Sequence, residues 1–102
     1  VTPTESSNYL DNLAAWSETT ARQLAIEENI ELTDEHLEIL QIARQFYADY
    51  GFSPSMRPLI KSVANQLDIS KARSIYLIQL FPPSPARIAA KIAGLPKPKN
   101  CL

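Results

Sequence analysis

The chain has 102 residues, 45% of them hydrophobic and 21% charged, with a formal net charge of −1; that is the size and make-up of one globular domain. It has no apolar run near the ~20 residues that cross a bilayer, no basic-then-apolar leader at its start, and a single cysteine. One thiol excludes an internal disulfide framework and supplies too few ligands for a zinc centre, so a cytoplasmic domain without metal, cofactor or membrane partner is expected.

Helix signals dominate in chain order, and strand signals are nearly absent. Ser6 or Ser7 is placed to cap a short helix through Trp16, with Tyr9, Leu10, Leu13 and Trp16 on one face. Ser17 caps a second helix to about Asn29 that buries Ala21, Leu24 and Ala25. Thr33 opens the longest helix, with Asp34 and Glu35 in its first turn, where the helix dipole favours negative charge. Its apolar stripe is Leu37, Leu40, Ala43, Phe46, Tyr47 and Tyr50, and Gly51 ends it.

Ser53-Pro54 reads as a cap followed by proline at the first helical position. The helix it opens carries Leu59, Ile60, Val63, Ala64 and Leu67, with an irregular start expected at Pro58. Ser70 caps a fifth helix through Leu80, and Phe81-Pro82-Pro83 closes it. Ser84-Pro85 repeats the cap-and-proline signature for a sixth helix, which ends at Ala93 before Gly94. The expected architecture is all-α, a compact orthogonal helical domain over residues 1–94. Residues 95–102 read differently: Pro96 and Pro98 forbid helix and favour an extended, flexible arm.

The near-zero net charge hides a division along the chain. Residues 1–50 hold ten acids against Arg22 and Arg44, a net of −8; residues 51–102 hold eight bases against Asp68, a net of +7. Two readings stand: a basic face for an acidic partner or nucleic acid, or two halves that pair inside the fold.

Cys101 is the residue most able to carry chemistry. A structural cysteine sits in an apolar stripe, and this one follows Lys97-Pro98-Lys99-Asn100. Exposed thiols are reactive in their thiolate form, which Lys97 and Lys99 favour. A reactive role and an incidental terminal cysteine are the two readings. Arg57, Arg87 and Lys91 are candidates for lining the place where the arm docks, against solvated helix faces as the plain alternative. His36, the one histidine, reads as a solvated or capping residue rather than half of a Cys–His pair. Glu35 and Glu38 read as a solvated face; Tyr47, Tyr50, Phe52 and Tyr76 read as core and rim.

The segment Ile92-Ala93-Gly94-Leu95-Pro96-Lys97-Pro98, ending in Cys101-Leu102, resembles the C-terminal signature of the DsrC/TusE family. Tyr76-Leu77, Leu80-Phe81-Pro82 and Pro85-Ala86 resemble it too, as do Leu32-Thr33, Glu35-His36, Phe46-Tyr47, and Arg57 with Leu59, Lys61 and Ala64. The resemblance covers roughly residues 9–102. It implies a sulfurtransferase of the relay type, with Cys101 carrying sulfur as a persulfide on a mobile arm. The two-cysteine branch has a second cysteine eleven residues before the penultimate one, and Ala90 stands at that position here. The single-cysteine TusE branch is the better likeness; it implies a TusBCD-like sulfur donor complex and a tRNA-thiolating enzyme with its tRNA as partners. The DsrC branch would imply a dissimilatory sulfite reductase. Val1-Thr2-Pro3-Thr4 stands where the family has a β-hairpin strand and is expected to be its remnant. Leu37, Ile75, Gln79 and Ser84 also depart from the family's usual residues.

A different class of function rests on the corner around Leu67-Asp68-Ile69-Ser70. It resembles a helix-turn-helix, with Arg57, Lys61, Lys71 and Arg73 available to phosphates. Against it, Ile75, Tyr76, Leu77, Ile78 and Leu80 offer little that reads base edges. A helical corner stabilised by those apolar residues is the plainer expectation.

Overall fold

The computed structural model describes residues 16–98, and no strand occurs among them. The helix expected before Trp16 and the hairpin remnant at Val1–Thr4 lie outside this range. The described elements are α1 (Glu18–Glu27), α2 (Asp34–Tyr50), α3 (Met56–Gln66), a 3-10 turn (Ile69–Lys71), α4 (Ser74–Leu80) and α5 (Pro85–Ile92). None of these helices is long and apolar enough to cross a membrane.

Capping chemistry sets most boundaries. Ser17 Oγ accepts from the Thr20 amide, as expected. α1 stops at Glu27 rather than Asn29 because Asn29 adopts the left-handed conformation, φ 58°. Its amide then bonds Ile26 O, and the Ile30 amide bonds Ala25 O, the pair of bonds that defines a Schellman end. Thr33 caps α2 in a capping box whose third-position partner is His36. Gly51, at φ 79°, closes α2 as its position predicts.

Two starts differ from expectation. α3 begins at Met56, with Ser55 at the cap, because the hydroxyl of Ser53 is engaged elsewhere. Pro58 falls in the first turn, where a missing amide hydrogen leaves no intrahelical bond unmade. The helix expected from Ser70 is divided: the Asp68 carboxylate accepts from the Ser70 amide and opens a single 3-10 turn, and α4 starts only at Ser74. The connection between α3 and α4 therefore spans residues 67–73, longer than the three- or four-residue turn of a helix-turn-helix. Of α4, only Leu77 is fully buried, while Ile75 and Ile78 face solvent and do not stabilise the corner as expected.

α5 is the innermost helix. Pro85, Ala86, Ile88, Ala89, Ala90 and Ile92 are buried, leaving Arg87 and Lys91 on one outward stripe. It contacts α1, α2, α3 and α4, and Ala89 and Ala90 share one buried core with Ala21 and Ala25 of α1. α2 lies between α3 and α5 and buries a wider face than the predicted stripe. Ile39 and Ile42 join Leu40 and Ala43 inside, while Tyr50, at the far end, is 64% exposed.

Phe81 closes the core. It is fully buried and meets the edge of His36 with ring centroids 5.0 Å apart. Phe81→Ala is expected to cost about 3–5 kcal/mol through lost burial and a residual cavity, a large share of the ~5–15 kcal/mol that holds such a domain folded. Urea unfolding monitored by far-UV circular dichroism measures it.

Candidate functional site

Cys101 and Lys99 lie outside the described residues. What the structure does describe is the segment that leads to them and how it is held. At the end of α5, Gly94 turns left-handed, φ 74°. The Gly94 amide bonds Lys91 O at 3.1 Å and the Leu95 amide bonds Ala90 O at 2.8 Å, a second Schellman end. Leu95 folds back into the core, 7% exposed.

The last four carbonyls of a helix have no intrahelical partner, and here all four are satisfied. The Schellman bonds take Ala90 and Lys91. Trp16 Nε1 donates to Ile92 O at 2.8 Å, and Arg44 Nη1 donates to Ala93 O at 2.7 Å. The guanidinium of Arg44 also sits 4.3 Å from the centroid of the Trp16 ring, a cation–π contact. A cation at this end also complements the helix dipole. Burial lowers the pKa of Arg44, though an arginine stays charged under all ordinary conditions.

Two residues further on, Ser53 Oγ donates to Pro96 O at 2.5 Å. Ser53 is itself buried, and so is Pro98, while Lys97 faces out. The arm therefore starts as a docked strip, with Leu95 and Pro98 against the body. Three donors from three parts of the chain fix it: Trp16 before α1, Arg44 in α2 and Ser53 before α3.

The structure separates the basic candidates. Lys91 is held by Glu28 at 2.6 Å and Glu27 at 3.2 Å. Those hydrogen bonds, Glu28's first, raise its pKa, and its charge is answered by α1. Arg57 and Arg87 are exposed and make no ion pair among the described residues. Lys97 follows the carbonyl that Ser53 holds ahead of α3. Lys71 pairs with Glu38 at 3.0 Å, a hydrogen bond that raises the lysine's pKa. Tyr76 donates to Glu35 at 3.4 Å, and burial raises its pKa. The acidic and basic halves thus pair at Lys71 and Lys91, and Glu35 and Glu38 are not simply solvated.

His36 is buried, against the expectation of a solvated ring, and it caps, in line with the other expectation. Its Nδ1 accepts from the Thr33 amide at 3.1 Å. That assigns the proton to Nε2, which donates to Leu80 O at 2.8 Å. With both nitrogens engaged, His36 has none left to serve a thiol. Among the described residues, no group of three His, Cys, Asp or Glu side chains is arranged to hold a metal.

Sequence reasoning missed Arg44 and misassigned Trp16 and Ser53. Arg44 carried one signal: it is a lone base beside Ala43 on the inward face of α2. The hydroxyl of Ser53 carried none, because its partner is 43 residues away.

Comparison with known proteins gives a consistent result. A family model described as DsrC like protein matches residues 2–102. The sulfurtransferase TusE of Salmonella paratyphi A is 46% identical over 99 residues, covering 97% of this chain and 91% of that protein. The sulfurtransferase TusE of Buchnera aphidicola is 44% identical over 98 residues, covering 96% and 86%. The NMR structure of Allochromatium vinosum DsrC superposes with a TM-score of 0.79 at 42% identity, covering 89% of this chain and 81% of that one. The oxidized γ-subunit of the dissimilatory sulfite reductase, DsrC, from Archaeoglobus fulgidus gives 0.74 at 36% identity, covering 88% and 82%.

Proposed function

The chain belongs to the DsrC-like protein family and is a sulfurtransferase of the sulfur-relay kind, and from that premise we propose that Cys101 carries the sulfur, as a persulfide, on its way to the wobble uridine of tRNA. The Cys101 thiolate attacks the terminal sulfur of a donor cysteine persulfide. The new S–S bond forms at Cys101 as the donor's S–S bond breaks, and the donor cysteine leaves as a thiolate. The proton on the transferred sulfur stays with it or exchanges with water. No outside oxidant or reductant enters, because the sulfur moves without a net change in the two cysteines together. A second exchange of the same form passes it to the acceptor.

The observation that carries this reading is the chain's one cysteine, five residues beyond the last carbonyl of a root bonded at Ile92, Ala93 and Pro96. Lys97 and Lys99 favour the thiolate and the persulfide anion, and exposed Arg57 and Arg87 add positive potential. Lys91 is left out of this role because Glu27 and Glu28 already answer its charge. The partners are a TusBCD-like donor complex and a tRNA-thiolating enzyme with its tRNA, in the cytoplasm. A sulfite-reductase role of the kind named for the Archaeoglobus protein is the second reading. Against it, Ala90 is buried in α5 with its carbonyl bonded to Leu95 and supplies no second thiol.

Reconstitution tests the reading. Persulfide-loaded donor complex, this chain, the thiolating enzyme and unmodified tRNA are expected to yield thiolated tRNA in proportion to this chain, read as retardation in an organomercurial gel. Thiolation independent of the chain would remove it from the pathway.

A further inference from the structure

Three aromatic rings lie in mutual contact where α2 ends. Phe46 and Tyr50 have ring centroids 4.5 Å apart, Phe46 and Phe52 5.4 Å, and Tyr50 and Phe52 6.3 Å. Phe46 is half-buried, but Tyr50 is 64% and Phe52 48% exposed. Of the core-and-rim reading, these two take the rim. Two large rings held against each other in water, with Phe46 as their floor, form a pre-ordered apolar surface of the kind that dominates protein interfaces.

Its place in the fold says what covers it. Phe52 is next in the chain to Ser53, whose hydroxyl holds Pro96. Beyond Pro98, Cys101 is three residues away, and a fully extended chain gains at most about 3.3–3.6 Å per residue. The backbone of Cys101 therefore reaches no further than about 11 Å from Pro98, and its thiol about 14 Å, while the root stays docked. A protein whose own cysteine exchanges sulfur with Cys101 has to bring that cysteine within this distance, so its surface must rest on the rim of the exit. A usual interface covers about 800 Å² per partner, a disc of roughly 16 Å radius. Laid over the Ser53–Pro96 bond, such a footprint takes in Phe52 and the rings in contact with it.

We propose that the Phe46–Tyr50–Phe52 cluster is the seat of the protein that delivers sulfur to Cys101, a partner presenting apolar surface around its persulfide cysteine. The inference rests on the sulfur-carrier reading of Cys101. It adds that delivery is limited by docking at this cluster rather than by the thiol alone.

The test uses the full chain carrying Tyr50→Ser and Phe52→Ser together, both exposed positions that leave the core intact. Sulfur loading is timed with two donors, glutathione persulfide and the persulfide-loaded donor complex. With the small donor, which needs only the thiol, the variant is expected to load within about 2-fold of the parent. With the donor complex it is expected to load about 10-fold more slowly at sub-saturating donor, the loss falling on half-saturation more than on maximal rate. Unchanged loading from the complex overturns the proposal and leaves the carrier reading standing. Equal losses with both donors overturn it as well, since the rings would then serve Cys101 itself. Weakened binding of tRNA alone, with delivery unchanged, overturns it in favour of base stacking. Failure of the parent chain to load from glutathione persulfide removes the carrier reading, and this proposal with it.

Discussion

Cys101→Ser is expected to abolish sulfur loading completely, from small and protein donors alike, while leaving the fold untouched. Intact mass after incubation with glutathione persulfide measures it: the parent gains one reducible sulfur atom and the variant none. The size of the effect follows from the inventory. The chain has one cysteine, so no other thiol can take over. A serine hydroxyl has neither the accessible anion nor the polarizable sulfur that make a thiolate attack another sulfur. No help from His36 has to be discounted, because Thr33 and Leu80 occupy both of its nitrogens. Loading that survives the substitution would mean a site other than Cys101, and the carrier reading would fall. The same inventory fixes the oxidation products. Without a second thiol at position 90, oxidation in air leads to a disulfide between two chains and never to one within a chain.

Much of the fold was legible because helix ends obey local chemistry. Ser17, Thr33, Gly51 and Gly94 each act where their type and spacing place them, since a side-chain oxygen reaches an amide two or three residues on and a left-handed residue stops a helix. The misreadings share a cause. Ser53-Pro54 and Ser84-Pro85 are the same dipeptide, yet only the second opens a helix at its proline. The hydroxyl of Ser53 goes instead to Pro96, a tertiary contact that no local pattern encodes. Ser70 caps no helix, because the Asp68 carboxylate, two residues earlier, accepts from the Ser70 amide and places Ser70 inside a 3-10 turn.

The site divides along the same line. The arm's signature was legible as a motif, from Ile92 to Pro98, but its mechanics were not. Leu95 is there to fold back into the core, Pro96 to offer a carbonyl to Ser53, and Pro98 to lie against the body. Those roles depend on Trp16, Arg44 and Ser53, which stand 43 to 76 residues away from the carbonyls they hold. The two-halves question was answered in part. Lys71 and Lys91 are answered by acids of the first half, whereas Arg57, Arg87 and Lys97 remain exposed.

Gly94→Ala is expected to be the most damaging small change at the arm root, and Gly51→Ala is its internal control. Both glycines are left-handed at helix ends, with φ 74° and 79°, so alanine meets the same backbone penalty of about 1 kcal/mol at either. Their surroundings differ. A Cβ on Gly51 meets nothing within 4 Å, while one on Gly94 comes to 3.0 Å from Cδ1 of Trp16. The Trp16 ring is not free to yield, because its Nε1 is bonded to Ile92 O and its face is covered by Arg44. Relief at Gly94 therefore stretches a hydrogen bond or the cation–π contact, and about 1–2 kcal/mol is added to the backbone penalty. Urea unfolding of the two variants should place Gly94→Ala below Gly51→Ala by that margin, about 4–8 °C in Tm for each kcal/mol in a domain this size. Equal losses would show that Trp16 gives way without cost and that the root is held by Ser53 and Leu95 alone. The relay should separate the pair further. Gly51→Ala leaves the aim of the arm as it was, whereas Gly94→Ala displaces the carbonyls on which that aim depends. Delivery from the donor complex is then expected to fall for Gly94→Ala, with loading from glutathione persulfide retained by both.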